Sequence, residues 1–220
     1  VLALAIAPLC TTTLADSDGD LFGLNLTQLM NLEVVSATKR PQTLADTAAA
    51  MHVISQDDIR RSGATTLPEI LRQAPGVEVA RISASTWAVT VRGFQSQFAN
   101  KLLVMVDGRS VYTPLYSGVY WDAEMPMLED IDRIEVIRGP GSSVWGSNAV
   151  NGVINIITKH SADTQGQLLT AGAGDVENGF VRARTGHDYG SGTVRVYGQY
   201  RDRDQSIDAA TGESAEDDYQ

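Results

Sequence analysis

The stretch Arg133–Lys159, RIEVIRGPGSSVWGSNAVNGVINIITK, holds the residues whose types and spacing come closest to a chemical site. Two β-branched runs flank a loop rich in Gly, Ser and Asn, and such loops often cradle a phosphate. Gly141 and Gly146 have the glycine spacing of a P-loop, but Ser147 stands where the phosphate-binding lysine is needed. A strand is expected from Val153, so no helix N-terminus would face a ligand. The sequence therefore argues against a nucleotide site.

Other catalytic patterns are equally incomplete. The histidines are scattered without metal-ligand spacing, and the serines of the loop lie outside any G-x-S-x-G elbow. The acidic residues before the loop resemble a solvated approach to a strand. These residues are His52, His160 and His187, then Ser142, Ser143 and Ser147, then Glu124, Glu129, Asp130 and Asp132. We expect no enzyme, no catalytic residue, no metal site and no cofactor.

The charge of the chain is unevenly distributed. The formal net charge is -10, and residues 202–220 hold seven acids against Arg203, a net of -6 that leaves -4 for the remainder. This distribution predicts a solvated acidic loop and gives no basic footprint for nucleic acid.

The N-terminus resembles a secretory signal. Val1–Leu9 is apolar but too short to span a bilayer as a helix, and Thr13, Leu14 and Ala15 form a small-residue cleavage pattern. We therefore interpret residues 1–15 as a partial signal peptide, although a buried strand has the same composition. The single cysteine, Cys10, lies within this segment, which leaves the mature chain without thiol chemistry.

The elements that must position these residues fall into two regions. Residues 43–159 predict a small mixed sheet with short helices, an α+β domain. Met51–Ser55 reads as a strand, and capping boxes begin helices at Ser55 with Asp58 and at Thr66 with Glu69. Further strands are expected in VEVARI, AVTVRG, KLLVMVDG, IDRIEVIRG and GVINII.

Residues 160–220 have a different pattern. FVRARTGH and TVRVYGQYR alternate small or apolar residues with polar and charged ones over 8 to 9 residues. A transmembrane barrel strand of about 9–11 residues shows this alternation, apolar outward and polar inward. A soluble β-sandwich also alternates, but the signal peptide favours antiparallel transmembrane strands followed by the start of an outer loop.

Three stretches resemble the plug domain of TonB-dependent outer-membrane receptors. They are ISQDDIRRSGATTLPEILRQAPGVEV, VTVRGFQSQFANKLLVMVDGRSVYTPLYSGVYWD and IDRIEVIRGPGSSVWGSNAVNGVINIITK, in the order of the family. The resemblance implies a plug inside a barrel of 22 antiparallel strands in the outer membrane of a Gram-negative bacterium. It also implies energised uptake of a scarce nutrient through TonB with ExbB and ExbD. The chain would then be a fragment, with the plug and the first strands in contact with outer-membrane lipid.

The resemblance assigns a coupling segment. In the extension of residues 16–42, Leu32, Glu33, Val34, Val35, Ser36 and Ala37 resemble a TonB box. Such a segment should be extended and flexible so that it can add a strand to a sheet edge of TonB. A plain structural strand remains the alternative.

The resemblance also suggests ligand contacts and a lock. Plug loops that face outward carry aromatic and arginine side chains that could bind a large anionic chelate. The alternative is that these side chains pack the plug against the barrel wall. The ligand candidates are Arg92, Phe94, Phe98, Arg109, Tyr112, Tyr116, Tyr120 and Trp121. Glu135 and Arg138 are candidates for an ion-pair lock between plug and barrel, with an intradomain pair as the alternative.

The resemblance further implies that Arg182, Arg184, Arg195 and Arg201 face the barrel lumen, where they can pair with plug acids. A ferric siderophore or other iron chelate is the expected cargo, with cobalamin or haem as alternatives. A soluble secreted binding module is the competing class of protein.

Overall fold

A computed structural model describes residues 33–44, 49–93, 96, 99–115, 117–123, 126–174, 177–207, 211–215 and 217. The predicted signal peptide, Leu32, Phe94, Phe98 and Tyr116 lie outside the described residues. The strands are β1 (Glu33–Val34), β2 (Gln42–Thr43), β3 (Met51–Ser55), β4 (Val77–Arg81), β5 (Trp87–Val91), β6 (Leu102–Val106), β7 (Arg109–Ser110), β8 (Ile131–Arg138), β9 (Gly152–Thr158), β10 (Gly166–Gly172), β11 (Gly179–Asp188) and β12 (Thr193–Asp202). The helices are α1 (Gln56–Ser62), α2 (Leu67–Leu71) and α3 (Ser142–Trp145), with 3-10 turns at Leu128–Asp130 and Ser161–Thr164.

The first helix begins as its sequence predicts. The Ser55 side chain accepts a hydrogen bond from the backbone N–H of Asp58, and the Asp58 carboxylate accepts one from the Ser55 N–H. The helix ends at Gly63, whose φ of 67° is the left-handed conformation that glycine adopts without strain.

The second predicted capping box is not formed. Helix α2 follows Thr66, but the Thr66 side chain makes no cap hydrogen bond, and its buried Oγ1 has no partner among the described residues. Pro68 lies in the first turn and has no backbone N–H. Because the first N–H groups of a helix are the ones that a cap must satisfy, this helix has one fewer donor that needs a cap.

A five-stranded sheet in the order β3-β8-β9-β6-β7 forms the centre of residues 49–159. β6 and β9 are parallel and the other neighbours are antiparallel, so the sheet is mixed as predicted. Helices α1 and α2 and strand β5 bury Ile59, Leu71 and Val89 against one face, together with Ile134 and Ile154 of the sheet.

The opposite face of the sheet has a smaller core. Leu103, Ile137 and Val153 lie here, and Trp145 from the glycine-rich loop packs against them. The sequence analysis predicts only a loop before β9, and the structure adds the helical turn α3 within that loop. Because the turn has four residues, it provides a side-chain anchor and no helix long enough to serve as an anion site.

Strands β10, β11 and β12 form a separate antiparallel sheet with a regular register. Its outward residues are exposed and mostly small or apolar, among them Leu169, Val181, Val194, Val196 and Tyr200. The predicted alternation is therefore present.

A short connector joins the two sheets. Within it, the turn Ser161–Thr164 lies against β11 at Gly186, where an added Cβ would approach the Thr164 carbonyl oxygen to 2.2 Å. Ser161 also bonds Thr193 at the start of β12. The connector thus contacts the central strand β11 and the edge strand β12 of the second sheet.

Candidate functional site

The first part of the site is a buried carboxylate that holds the N-terminal segment. Glu135 lies in the middle of β8 and is fully buried. Its carboxylate accepts hydrogen bonds from the backbone N–H of Val35 at 3.2 Å and of Ser36 at 2.8 Å. Arg133 Nε lies 2.9 Å from the same carboxylate and balances its charge. Hydrogen bonds and an ion pair together stabilise a charge that burial alone would disfavour.

Two neighbours of Glu135 bind the same residue of the segment. Asn155 pairs with Glu135 across β8 and β9, and its Nδ2 donates to Ser36 Oγ at 3.0 Å. Trp145 Nε1, from α3, donates to the Ser36 carbonyl at 2.6 Å. We call Glu135, Asn155 and Trp145 the clamp.

The clamp and a small hairpin fold residues 33–43 back onto the domain. Glu33 and Val34 pair with Thr43 and Gln42, and the Val34 and Ser36 side chains are fully buried. Lys39 lies 4.6 Å above the Trp145 ring, a cation–π contact that adds to the fastening. The sequence predicted an extended, flexible segment at residues 32–37, whereas the structure holds the described part, Glu33–Ala37, docked.

The second part of the site is a row of ion pairs between the two sheets, which we call the seam. Arg182 Nη1 lies 3.1 Å from Glu129 Oε1, and Arg184 pairs with Asp130. Arg195 Nε lies 3.5 Å from Asp130 Oδ2. Asp130 is 1% exposed, so its carboxylate is buried between arginines of two adjacent strands.

Backbone carbonyls complete the seam. Arg182 and Arg201 both donate to the Thr65 carbonyl, at 2.7 and 3.2 Å, and Arg195 donates to the Lys159 carbonyl at 3.0 Å. Lys159 in turn donates its N–H to the Asp130 carbonyl at 2.8 Å. The acids of the first domain and the start of the connector are therefore joined to the same arginines.

The seam continues along β12 to Asp122. Arg201 Nη1 lies 3.5 Å from Asp122 Oδ1, and Arg201 Nε lies 3.1 Å from Glu177 Oε1. Burial raises the pKa of Asp122 to about 6, against the opposing effect of Arg203, Arg201 and Arg81. Neither Asp122 oxygen accepts a hydrogen bond from the described residues.

The seam corrects the prediction for the acids before β8. Glu129 and Asp130 are not a solvated approach to a strand, because each is paired with an arginine and Asp130 is buried. The expectation that Arg182, Arg184, Arg195 and Arg201 pair with acids of the first domain agrees with these contacts. Asp122, Asp130 and Glu129 were missed as binding residues, since no local pattern distinguishes them from surface acids.

The two lock candidates lie in different surroundings. Glu135 binds Val35, Ser36 and Arg133, all within residues 33–159, and not an arginine of β11 or β12. Arg138, at the end of β8, passes beside the Gly76 turn, and its Nε has no hydrogen-bond acceptor among the described residues.

The described ligand candidates differ in their surroundings. Arg109 follows the Asp107–Gly108 turn, and Asp107 binds Thr158 next to the connector. Tyr120 is 44% exposed, but Trp121 is 6% exposed and belongs to the core. Both aromatics immediately precede Asp122, which contacts Arg201 of β12. Arg195 of the same strand binds Lys159 beside the connector. The two arginines are six residues apart, so these two contacts are separated by about 20 Å along β12.

The remaining candidates differ in exposure. Arg92 is exposed, with a left-handed φ of 59°, and Tyr112 is half-buried. Across the described ranges, no cluster of His, Cys, Asp and Glu has the arrangement of a metal site. Among the same residues, no helix is long and apolar enough to cross a membrane.

Known proteins match this chain in sequence and in fold. The TonB-dependent Receptor Plug Domain family matches residues 43–153, half of the chain. The vitamin B12 transporter BtuB of Vibrio vulnificus is 36% identical over 143 residues, covering 64% of this chain and 23% of that protein. BtuB of Vibrio cholerae is 34% identical over 178 residues, covering 80% of this chain and 27% of that protein.

A solved structure shares the fold. The pyoverdine outer membrane receptor FpvA from Pseudomonas aeruginosa superposes with a TM-score of 0.60 at 20% identity, covering 80% of this chain and 25% of that one. The chain thus spans about a quarter of the length of the relatives it matches.

Removing the central charge of the seam should loosen the two sheets from each other. Asp130→Asn leaves Arg184 and Arg195 without their shared carboxylate, and breaking a buried pair costs about 3–5 kcal/mol. We expect faster hydrogen exchange and proteolysis of residues 159–165 in the intact protein. Asp132→Asn is the matched control, because Asp132 is partly exposed and pairs only locally with Arg133. Equal exchange in the two variants would contradict the assignment.

Proposed function

The chain belongs to the family of TonB-dependent receptors, and from this premise we propose that the whole protein imports a scarce nutrient with energy delivered through TonB. The family consists of receptors and transporters in the outer membrane of Gram-negative bacteria, and the chain holds the plug domain and the barrel strands that follow it. The observation that carries the proposal is the clamp, because it holds a short N-terminal segment on the plug through hydrogen bonds.

In the proposed arrangement, residues 43–159 are the plug and β10–β12 are the first wall strands of a barrel of 22 strands. The arginine face of β11 and β12 looks at the plug, and the face with Leu169, Val181, Val194 and Val196 looks at lipid. Residues 203–217 begin an outer loop. This assignment makes the seam the contact between plug and wall.

The clamp would regulate coupling to TonB, because it occupies backbone groups of the segment that TonB would bind. TonB would add a strand to residues 32–37, which requires free backbone donors and acceptors along the segment. In the docked state the Val35 and Ser36 N–H groups bind Glu135 and the Ser36 carbonyl binds Trp145. Docking and pairing with TonB are therefore mutually exclusive. TonB, working with ExbB and ExbD, is the proposed partner.

The cargo is proposed from two directions. The relatives that are 34–36% identical are named vitamin B12 transporters, which favours a corrinoid. The resemblance of the plug motifs alone favours a ferric siderophore or other iron chelate, with haem as a further alternative. Of the described ligand candidates, Arg92, Arg109 and Tyr120 are exposed and Tyr112 is half-buried, whereas Trp121 is enclosed in the core.

Replacing Val34 with Pro tests the coupling segment. Proline removes the Val34 N–H and cannot pair along a strand, so Val34→Pro should abolish energised uptake in the full-length receptor and leave ligand binding unchanged. Val34→Ala is the control, because it keeps the backbone donor and should retain uptake. Normal uptake by the Val34→Pro variant would contradict the assignment of residues 32–37 as the TonB box.

A growth panel tests the cargo. A strain that lacks the full-length gene should lose growth on one nutrient among cobalamin, haem and a set of ferric siderophores, each supplied at limiting concentration. Complementation with wild type should restore growth, and Tyr120→Ala should weaken binding of that nutrient by the purified receptor about tenfold, the loss of one aromatic contact. Growth unchanged on every nutrient would contradict the proposed transport function.

Arg138 remains a proposed lock toward wall strands beyond this chain. Because its Nε has no acceptor in the described part of the plug, an acid of the wall is the expected partner. Arg138→Gln should admit large hydrophilic antibiotics through the full-length receptor without unfolding it. Arg72→Gln, at an exposed arginine that caps α2, is the matched control. Equal antibiotic sensitivity in both variants would argue against the lock.

A further inference from the structure

A cavity opens at the far end of the seam, between the plug and β12. Thr66, Trp121, Asp122 and Leu128 line it from the plug, and Gln199 and Arg201 line it from β12. Three side chains in it have polar atoms without hydrogen-bond partners among the described residues: the Thr66 hydroxyl, 2% exposed, Arg201 Nε, and both oxygens of Asp122, whose side chain is 7% exposed. Buried polar atoms are nearly always paired, and Asp122 is the one buried carboxylate among the described residues with neither oxygen hydrogen-bonded.

The charge around Asp122 does not complete the site. Arg201 approaches no closer than 3.5 Å and is engaged by Glu177 and by the Thr65 carbonyl. Arg203 binds Glu177 and the Ala84 carbonyl, and Arg81 binds the carbonyls of Ser83 and Ala84. The cations that face Asp122 from β12 and from the end of β4 are thus committed to other acceptors, and Glu177 adds a like charge.

A proton would remove the unpaired charge. The carboxyl group would then be neutral, and it could stay in the cavity without a hydrogen bond from Arg201 or from Thr66. Protonation also removes the free-energy cost of keeping a carboxylate buried without hydrogen bonds. Arg201 would still have its ion pair with Glu177 and its hydrogen bond to the Thr65 carbonyl.

We propose that Asp122 is a proton-responsive joint between plug and wall, which tightens the far end of the seam in acid and loosens it at neutral pH. The sign follows from burial as the dominant effect. A carboxyl whose pKa is raised to about 6 binds its proton more tightly in the assembled state than in the separated state. Acid therefore stabilises assembly, and that stabilisation is lost as the pH rises through about 6.

The two ends of the seam then behave differently. The end near the connector is held by the ion pairs of Asp130 with Arg184 and Arg195, and these contacts do not involve Asp122. The end at Asp122 can part from the wall at neutral pH. A plug that is fixed near residues 159–165 and loosened near residues 65–67 and 120–122 would move by opening at one end. The inference rests on the proposed function only in treating β10–β12 as the wall.

Local hydrogen exchange measured by mass spectrometry on the full-length receptor in detergent tests the joint. After correction for the intrinsic pH dependence of exchange, amides of residues 65–71 and 120–123 should exchange about tenfold more slowly at pH 5 than at pH 7.5, a conservative figure for a shift of this size. Asp122→Asn should show the slow rate at both pH values. Asp132→Asn, which alters an exposed acid away from the cavity, should respond as wild type does.

Three results would overturn the proposal. These are a wild-type rate that does not change with pH, a pH response that persists in Asp122→Asn, and a loss of the response in Asp132→Asn. Thr66→Val supplies a second variant that should fold, since it removes only an unpaired hydroxyl, and it should keep the full pH response because the response belongs to Asp122. Loss of the response in Thr66→Val would contradict that assignment. Because the readout is local exchange and not uptake, the joint and the transport function can fail separately.

Discussion

The buried carboxylate of Asp130 is the interaction on which the two sheets depend. It lies between Arg184 and Arg195, which belong to adjacent strands of the second sheet, while the Asp130 carbonyl accepts the N–H of Lys159 at the start of the connector. One residue thus fixes the second sheet by its side chain and the exit of the first domain by its backbone. A buried charge must be paired in this way or not be ionised, so its position constrains both partners.

The same strand joins the seam to the clamp. Asp130 immediately precedes β8, and Glu135 lies in the middle of that strand with its carboxylate on the backbone of Val35 and Ser36. The N-terminal segment and the second sheet are therefore both fastened to one strand through acidic side chains. Polar fastenings of this kind can be broken and hydrated again at lower cost than an apolar core, which suits parts that must separate and return.

The glycine-rich loop has a mechanical role in this arrangement. It lacks the lysine of a phosphate site and contains a single helical turn, α3, which places Trp145 over the docked segment. Gly186 has a comparable role at the connector, because the Thr164 carbonyl lies where any side chain would have to stand. Close approach of backbone, and not binding of a small molecule, explains both positions.

Short-range patterns in the sequence determined the elements. The alternation in β11 and β12, the Ser55–Asp58 capping box and the Gly63 end of α1 are local, since each depends on residues within one turn or along one strand. The order of three plug motifs also sufficed to identify the family, which the match over residues 43–153 confirmed.

Tertiary structure alone decided the site. Glu135 contacts residues about 100 positions away, and Asp130 contacts strands more than 50 positions away, so no local pattern assigns Glu135 to the clamp and Asp130 to the seam. The same holds for Trp121, aromatic and suited to a ligand by type, yet enclosed in the core. The sequence gives the chemical type of each side chain. Its binding partner and the dielectric constant of its surroundings are set only when distant segments pack together.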